Sequence, residues 1–223
     1  MEEFNGLLTA TVFLPMVGAL VVALLVRGDR RVRLFATAVA LADMVLAIVV
    51  FSLFNHGDGA QRFQMIDKFN WIGDGSFFNN QSFEASYHLG VDGLSAPMVL
   101  LTGILGFCAV LASWGVQLRV REYFVWLLVL QTAVMGVFTS LDFLLFFLFW
   151  ELELLPMYLL ISIWGTGRKE YSAMKFLIFT ILGSAFMLVA ILAVFVTPDV
   201  GTFNMVELSE KGIDAAKLII PVN

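Results

Sequence analysis

Two carboxylic acids stand in the middle of one of the most apolar runs of the chain, Phe149-Trp150-Glu151-Leu152-Glu153-Leu154-Leu155-Pro156-Met157. Between Phe143 and Trp164 every other residue is hydrophobic apart from Ser162 and Pro156. A charge at bilayer depth costs ~2.5–3.5 kcal/mol on insertion scales, so such an acid needs a partner, a proton or water. Desolvation raises the pKa of a carboxylic acid and a nearby lysine lowers it. An acid switched between those two settings takes up and releases a proton, and that is the chemistry this spacing points to. Two residues apart is ~200° around a helix, so Glu151 and Glu153 face nearly opposite sides. Glu151 shares its face with Leu155, Tyr158 and Ser162, and Glu153 aligns with Met157, Leu160 and Trp164. Pro156 removes one backbone donor a turn later, and such breaks admit water beside an ion path. The alternative for either acid is a packing role, hydrogen-bonded to a neighbouring helix.

The elements that must position these acids are membrane spans. Hydrophobic residues make up 60% of the chain and charged residues 14%, against about 25% charged in a soluble domain. A span needs roughly 20 apolar residues. Six fit, forming an all-α polytopic transmembrane helix bundle in one integral membrane domain over 1–223: 7–26, 34–54, 94–114, 123–139, 143–164 and 173–196. The fourth and fifth form one nearly unbroken run that as a single helix would be ~63 Å long, about twice the membrane. Thr139-Ser140-Leu141-Asp142 breaks it into a tight hairpin, with Asp142 or Ser140 capping the next helix.

The basic residues set the orientation. Arg27, Arg30, Arg31, Arg33, Arg119, Arg121, Arg168 and Lys169 crowd the first, third and fifth connections. The remaining connections hold only Arg62, Lys68, Lys211 and Lys217. The positive-inside bias therefore predicts that both termini lie outside and the arginine turns in the cytoplasm or its organellar equivalent. The acidic start, Met1-Glu2-Glu3, is unlike the basic head of a cleavable signal. Residues 55–93 read as an ordered extramembrane loop with room for a short hairpin lying over the helices and aromatics, Trp71 and Tyr87, at the interface. His56 and His88 read as polar residues of that interface, since neither belongs to a ligand cluster.

Three further polar residues belong to the spans. Lys175 opens the sixth span and is the second candidate after Glu151. A depth difference of roughly 15 Å or more rules out a direct ion pair with it in straight helices, and leaves a chain of waters or simple snorkelling to the interface. Asp43, midway along the second span, reads as structural. Asp142 reads as a helix cap that complements the dipole. A single cysteine, Cys108, permits no intrachain disulfide. A soluble metabolic enzyme is excluded by the apolar runs, and the sequence has no phosphate-cradling glycine loop, cysteine cluster or nucleophile–base pair.

Phe149 to Tyr158, then Ile163-Trp164-Gly165, then Ala173-Met174-Lys175-Phe176, resemble the antiporter-like subunit M of proton-pumping NADH–quinone oxidoreductase, respiratory complex I. His88-Leu89-Gly90-Val91-Asp92-Gly93-Leu94-Ser95 is similar to the family's approach to its third helix, and the doubled acid Glu151-Leu152-Glu153 resembles the cyanobacterial and chloroplast form, subunit 4. The resemblance implies that Glu151 is the proton-channel glutamate, paired in the family with a lysine on the seventh helix. Lys175 matches a lysine that recurs in the family at this motif, and Glu153 stays a secondary candidate on its depth in the span. The resemblance also implies no cofactor in this chain, with flavin, iron–sulfur clusters and quinone held by other subunits. The implied partners are the other membrane-arm subunits, the lipid bilayer and protons, with no nucleic acid, in an energy-transducing membrane such as the bacterial inner membrane. The function expected is that of a membrane-arm subunit coupling electron transfer from NADH to quinone to proton pumping.

Family members have about twice this length, so the chain reads as the incomplete first half of an antiporter-like fold. Lys217-Leu218-Ile219-Ile220-Pro221-Val222-Asn223 would begin a seventh span. On that reading the basic partner of Glu151 lies outside this polypeptide, and the chain alone does not pump. The alternatives are a subunit of a multi-subunit Na⁺/H⁺ antiporter or of a membrane-bound hydrogenase, or a scaffold that transports nothing.

Overall fold

The structure, a computed structural model, describes residues 6–55, 57, 62–72, 76–78, 81–82, 85–196 and 202–211. Its helices are α1 (Leu7–Leu24), α2 (Asp29–Leu53), α3 (Ser95–Ala112), α4 (Val120–Thr139), α5 (Phe143–Trp164), α6 (Lys169–Val196) and the short α7 (Met205–Lys211). The first six are long and apolar enough to cross a membrane. They match the six expected spans, with two instructive differences. α2 starts at Asp29 rather than 34, and α6 at Lys169 rather than 173, because the hydropathy of a span marks its lipid-facing length while the helix runs on through a charged, solvated turn. Lys175 is thus the seventh residue of α6 and still stands at the start of its apolar stretch.

The loop between α2 and α3 is built around strands. β1 (Gln64–Ile72) pairs antiparallel with β4 (Ala85–Val91), and β2 (Ser76–Phe78) pairs with β3 (Gln81–Ser82). The β1–β4 register shifts between Gln64 and Asp67 and again between Asn70 and Ile72, and Met65 adopts φ 54°. Those irregularities break the two-residue alternation that would mark a strand in sequence. Phe69 stacks on Tyr87 at 4.6 Å across the hairpin. His56 and the segment Lys217–Asn223 lie outside the described residues, as does the side chain of Trp71.

The hairpin is bolted to one end of the bundle. Asp67 on β1 accepts hydrogen bonds from the amides of Gly6 (2.6 Å) and Thr9 (3.0 Å) and from the Thr9 hydroxyl (2.8 Å), supplying the acceptors that the first turn of α1 lacks within itself. The Leu141 amide donates to His88 O at 2.8 Å, joining β4 to the α4–α5 turn. The segment before α7 joins the same turn: the Phe143 amide donates to Phe203 O at 2.9 Å and the Met205 amide to Leu141 O at 2.9 Å. Asp142 caps α5 as expected, accepting from Leu144 N at 2.9 Å and Leu145 N at 3.1 Å, and it also accepts from the amide and hydroxyl of Ser86.

The arginine-bearing connections meet at the opposite end. Arg33 donates to Val116 O at 2.8 Å, the Trp164 indole to Leu118 O at 2.7 Å, the Trp114 indole to the Thr37 hydroxyl at 3.1 Å, and Lys169 to Ile163 O at 2.6 Å. The helices thus alternate in direction, and the basic turns share one end while the hairpin and the capped turn share the other.

Within the bundle α1 packs on α2 and α4, α2 on α3 and α4, and α4 on α5, while α6 packs on α5. Two apolar clusters fill the interior. One is centred on Leu8, Val12, Val50, Leu89, Val99, Met135 and Phe149 near the hairpin. The other gathers Ala19, Val22, Val32, Val110, Phe124 and Leu128 near the basic end. Leu152 packs against both.

Candidate functional site

The orientation of α5 is fixed by its aromatic and aliphatic stripe. Phe149 lies directly against Gly136 of α4, where a Cβ would overlap the ring, and its ring meets Phe13 of α1 at 6.1 Å. Phe149, Leu152 and Pro156 thereby turn one face of α5 toward α1 and α4. Glu151 is ~200° from Phe149 around the helix and so projects from the other side. On that side, the Tyr158 hydroxyl reaches Met174 Sδ of α6 at 3.8 Å. Glu151 stands eight residues after Phe143 in a helix of 22 residues, at mid-span. Its Oε1 is buried and has no hydrogen-bond partner among the described residues.

Glu153 is half-buried and points away from Glu151, as the wheel requires. Neither it nor Glu151 makes an ion pair among the described residues. Lys175 is exposed on α6, in a shallow recess with Tyr171, Met174, Ile178 and Phe179. Its neighbour Met174 lies beside Tyr158, which is seven residues, or ~10 Å along the axis, from Glu151. The structure does not bring Glu151, Glu153 and Lys175 into contact. The face of α6 that carries Lys175 is open, with Ile178, Phe179, Leu182, Phe186 and Val189 exposed.

One polar group elsewhere departs from the sequence reading, and another has a partner that a single sequence does not show. His88, expected at the interface, is 4% exposed, on strand β4 of the hairpin. Burial pushes its imidazole down to about 4, the Lys68 ammonium pushes the same way, and Asn204 and Glu207 oppose them. The reason is topological: β4 is covered on one side by the α4–α5 turn and on the other by the segment leading into α7. Asp43 is fully buried, as a structural acid would be, and accepts from the side-chain amide of Gln131 on α4. Gln131 was not singled out in the sequence. Its signal was there, as a polar Gln131-Thr132 pair inside the apolar run of α4, but nothing in one sequence links positions 43 and 131.

Comparison with known proteins bears on this geometry. The family described as NADH:quinone oxidoreductase/Mrp antiporter, TM, matches residues 140–219, which include α5 and α6. The chain is 42% identical over 212 residues to NAD(P)H-quinone oxidoreductase chain 4-2 of Synechocystis sp., covering 95% of this chain and 36% of that protein. It is 41% identical to chain 4 1 of Synechococcus elongatus, covering 94% and 38%, and 38% identical to chain 4 of Gloeobacter violaceus, covering 96% and 39%. It spans a little over a third of the length of these relatives. Its fold is similar to chains of an archaeal respiratory membrane complex, the membrane-bound sulfane sulfur reductase (TM-score 0.72, 19% identity, 95% of this chain and 41% of that one). It is also similar to a chain of respiratory complex I from Thermus thermophilus (TM-score 0.70, 23% identity, 93% and 40%).

Proposed function

Because the chain is a relative of chain 4 of the NAD(P)H-quinone oxidoreductases, we propose that it is the Glu151-bearing part of a proton-translocating membrane-arm subunit. The observation that carries this reading is the buried, unpartnered Oε1 of Glu151 at mid-span. A carboxylate oxygen with no donor in a low-dielectric setting is satisfied by a proton, by water or by a cation brought close. Glu151 projects from the side of α5 turned away from α1 and α4, and a basic residue seated against it would draw it into the ionised form. Alternation between the two states moves a proton. Glu153, on the opposite side of α5, and Lys175, on the exposed flank of α6, are secondary members of the path.

Electron transfer, with its flavin, iron–sulfur clusters and quinone, belongs to other subunits in this reading. The chain supplies the ion-handling part of a translocase in an energy-transducing membrane. Its partners are the neighbouring membrane-arm subunits, the bilayer and protons, with no role for nucleic acid. Since Arg27 to Arg33, Arg119, Arg121 and Arg168 share one end of the bundle, that end faces the cytoplasm and the hairpin end faces out. The matching family also covers Mrp antiporters, which favours, as a second reading, a Na⁺/H⁺ antiporter subunit using the same glutamate.

The deciding experiment is Glu151→Gln in the full-length subunit, assembled in its complex. Assembly is retained, because Gln keeps the shape and removes only the ionisable group, while proton translocation and coupled turnover are lost. Normal proton translocation in that variant would sink the proposal and leave a packing role. Dependence of the wild-type activity on Na⁺ would select the antiporter reading.

A further inference from the structure

The Asp43–Gln131 pair holds a second, independent defect that a proton would repair. Asp43 is fully buried on α2. Its Oδ2 accepts from Gln131 Nε2, whereas its Oδ1 and the Gln131 Oε1 are both buried acceptors without a partner among the described residues. Two orphaned acceptors in one buried pair are costly, since each forfeits the hydrogen bonds it had in water.

Among the described residues no charge is placed to offset a carboxylate there. α2 packs against α1, α3 and α4. α1 and α3 contain no Lys, Arg, His, Asp or Glu, and the charged residues of α4, Arg121 and Glu122, lie in its first turn. On α2 itself the other charged residues are Asp29, Arg30, Arg31 and Arg33, all in the first turn or so and ten or more residues from Asp43.

Among the described residues the lipid side offers no free neutral donor either. Gln131 forms the floor of an apolar groove between α3 and α4, lined by Leu105, Gly106, Leu127, Leu130 and Val134 with one hydroxyl, Thr102. Thr102 donates that hydroxyl to Met98 O at 2.8 Å. Gly106 lies against the side-chain amide of Gln131, where a Cβ would come within 2.5–2.7 Å, so the small residue leaves the amide its place.

We infer that Asp43 carries a resident proton and that Asp43 and Gln131 form a neutral acid–amide pair, a second protonatable site of the bundle distinct from Glu151. In such a pair the amide N–H donates to one carboxyl oxygen and the acid O–H donates to the amide oxygen. The first arm is the bond already present, and the second needs the two atoms that are orphaned. Site formation is a plain uptake: a proton from the aqueous phase adds to Oδ1, no bond breaks, and the site becomes neutral. The inference does not depend on the role of Glu151.

Infrared difference spectroscopy on the assembled complex tests it. Between wild type and Asp43→Asn at neutral pH, the expected loss is of a protonated-carboxyl C=O band that moves to lower wavenumber in D₂O. Gln131→Leu removes the partner and shifts that band to higher wavenumber without abolishing it. Loss of a carboxylate stretch in Asp43→Asn, or a C=O band indifferent to Gln131→Leu, overturns the proposal. Should Asp43→Asn fail to assemble, wild-type complex grown on carboxyl-¹³C aspartate gives the readout: a protonated-carboxyl band that shifts with the label and responds to Gln131→Leu supports the pair, and its absence refutes it.

Discussion

Acidification should loosen the lock between the hairpin, the α4–α5 turn and the segment before α7, with His88 as the cause. In the folded protein the imidazole is held down to about 4, from an ordinary value of 6.5. The folded form therefore prefers the neutral ring, and the opened form binds the extra proton wherever the pH lies between those values. Stability from this group is fully present above 6.5 and is lost as the pH falls toward 4. Lowering the pH from 7.5 to 5 removes about 2 kcal/mol, which raises the opened population about thirty-fold. The reporting amides are Leu141, which donates to His88 O, and Phe143, which donates to Phe203 O. Hydrogen exchange of peptides covering 139–146, corrected for the intrinsic pH dependence of exchange, reads the change directly. Asp142, in the same turn, is pushed up by burial and contributes in the opposite sense, so the control is His88→Gln, which leaves Asp142 in place. Protection equal at both pH values, or a full loss that persists in His88→Gln, would refute the assignment.

Other perturbations follow from single contacts. Gly136→Val drives a side chain into the Phe149 ring and should cost about 2–3 kcal/mol by overpacking, read as a lower thermal midpoint in detergent; an unchanged midpoint would count against this α4–α5 contact. Asp67→Asn keeps one of two acceptor oxygens for Gly6 and Thr9 and removes the charge facing the α1 N-terminus, at about 1–2 kcal/mol; faster amide exchange at 7–10 is the expected sign. Asp142→Ala strips the cap from Leu144 and Leu145 and a partner from Ser86, at about 2–3 kcal/mol, with partial recovery in Asp142→Asn.

Much of the architecture was legible because a bilayer simplifies the code. Apolar length alone marked all six spans, and the arginines of alternate connections told which ends belong together. Asp142 was readable as a cap since that role is local, two and three residues from the helix amides it serves. The failures share a cause of the opposite kind. Asp67 serves an amide 61 residues away and Asp43 a side chain 88 residues away, and no single-sequence period encodes such partners. The early starts of α2 and α6 escaped hydropathy because a charged first turn is good helix but poor membrane. The position of Glu151 was legible to the residue, as was its separation from Glu153. What it faces was not, since that depends on which side of α5 is taken by α4, a matter settled by the fit of Phe149 on a glycine.

α6 is fastened at both ends. At its start Lys169 grips the last turn of α5 through Ile163 O, and past its far end Phe203 stacks on Phe195 at 4.3 Å while Asn204 bridges to Asp142. A helix held in this way behaves as a beam on two supports rather than as a free arm. A load applied to its exposed flank is therefore carried into the turns at both membrane faces, and any displacement is greatest at mid-length, far from the fastenings. Motion there is passed to α5, the helix on which α6 packs.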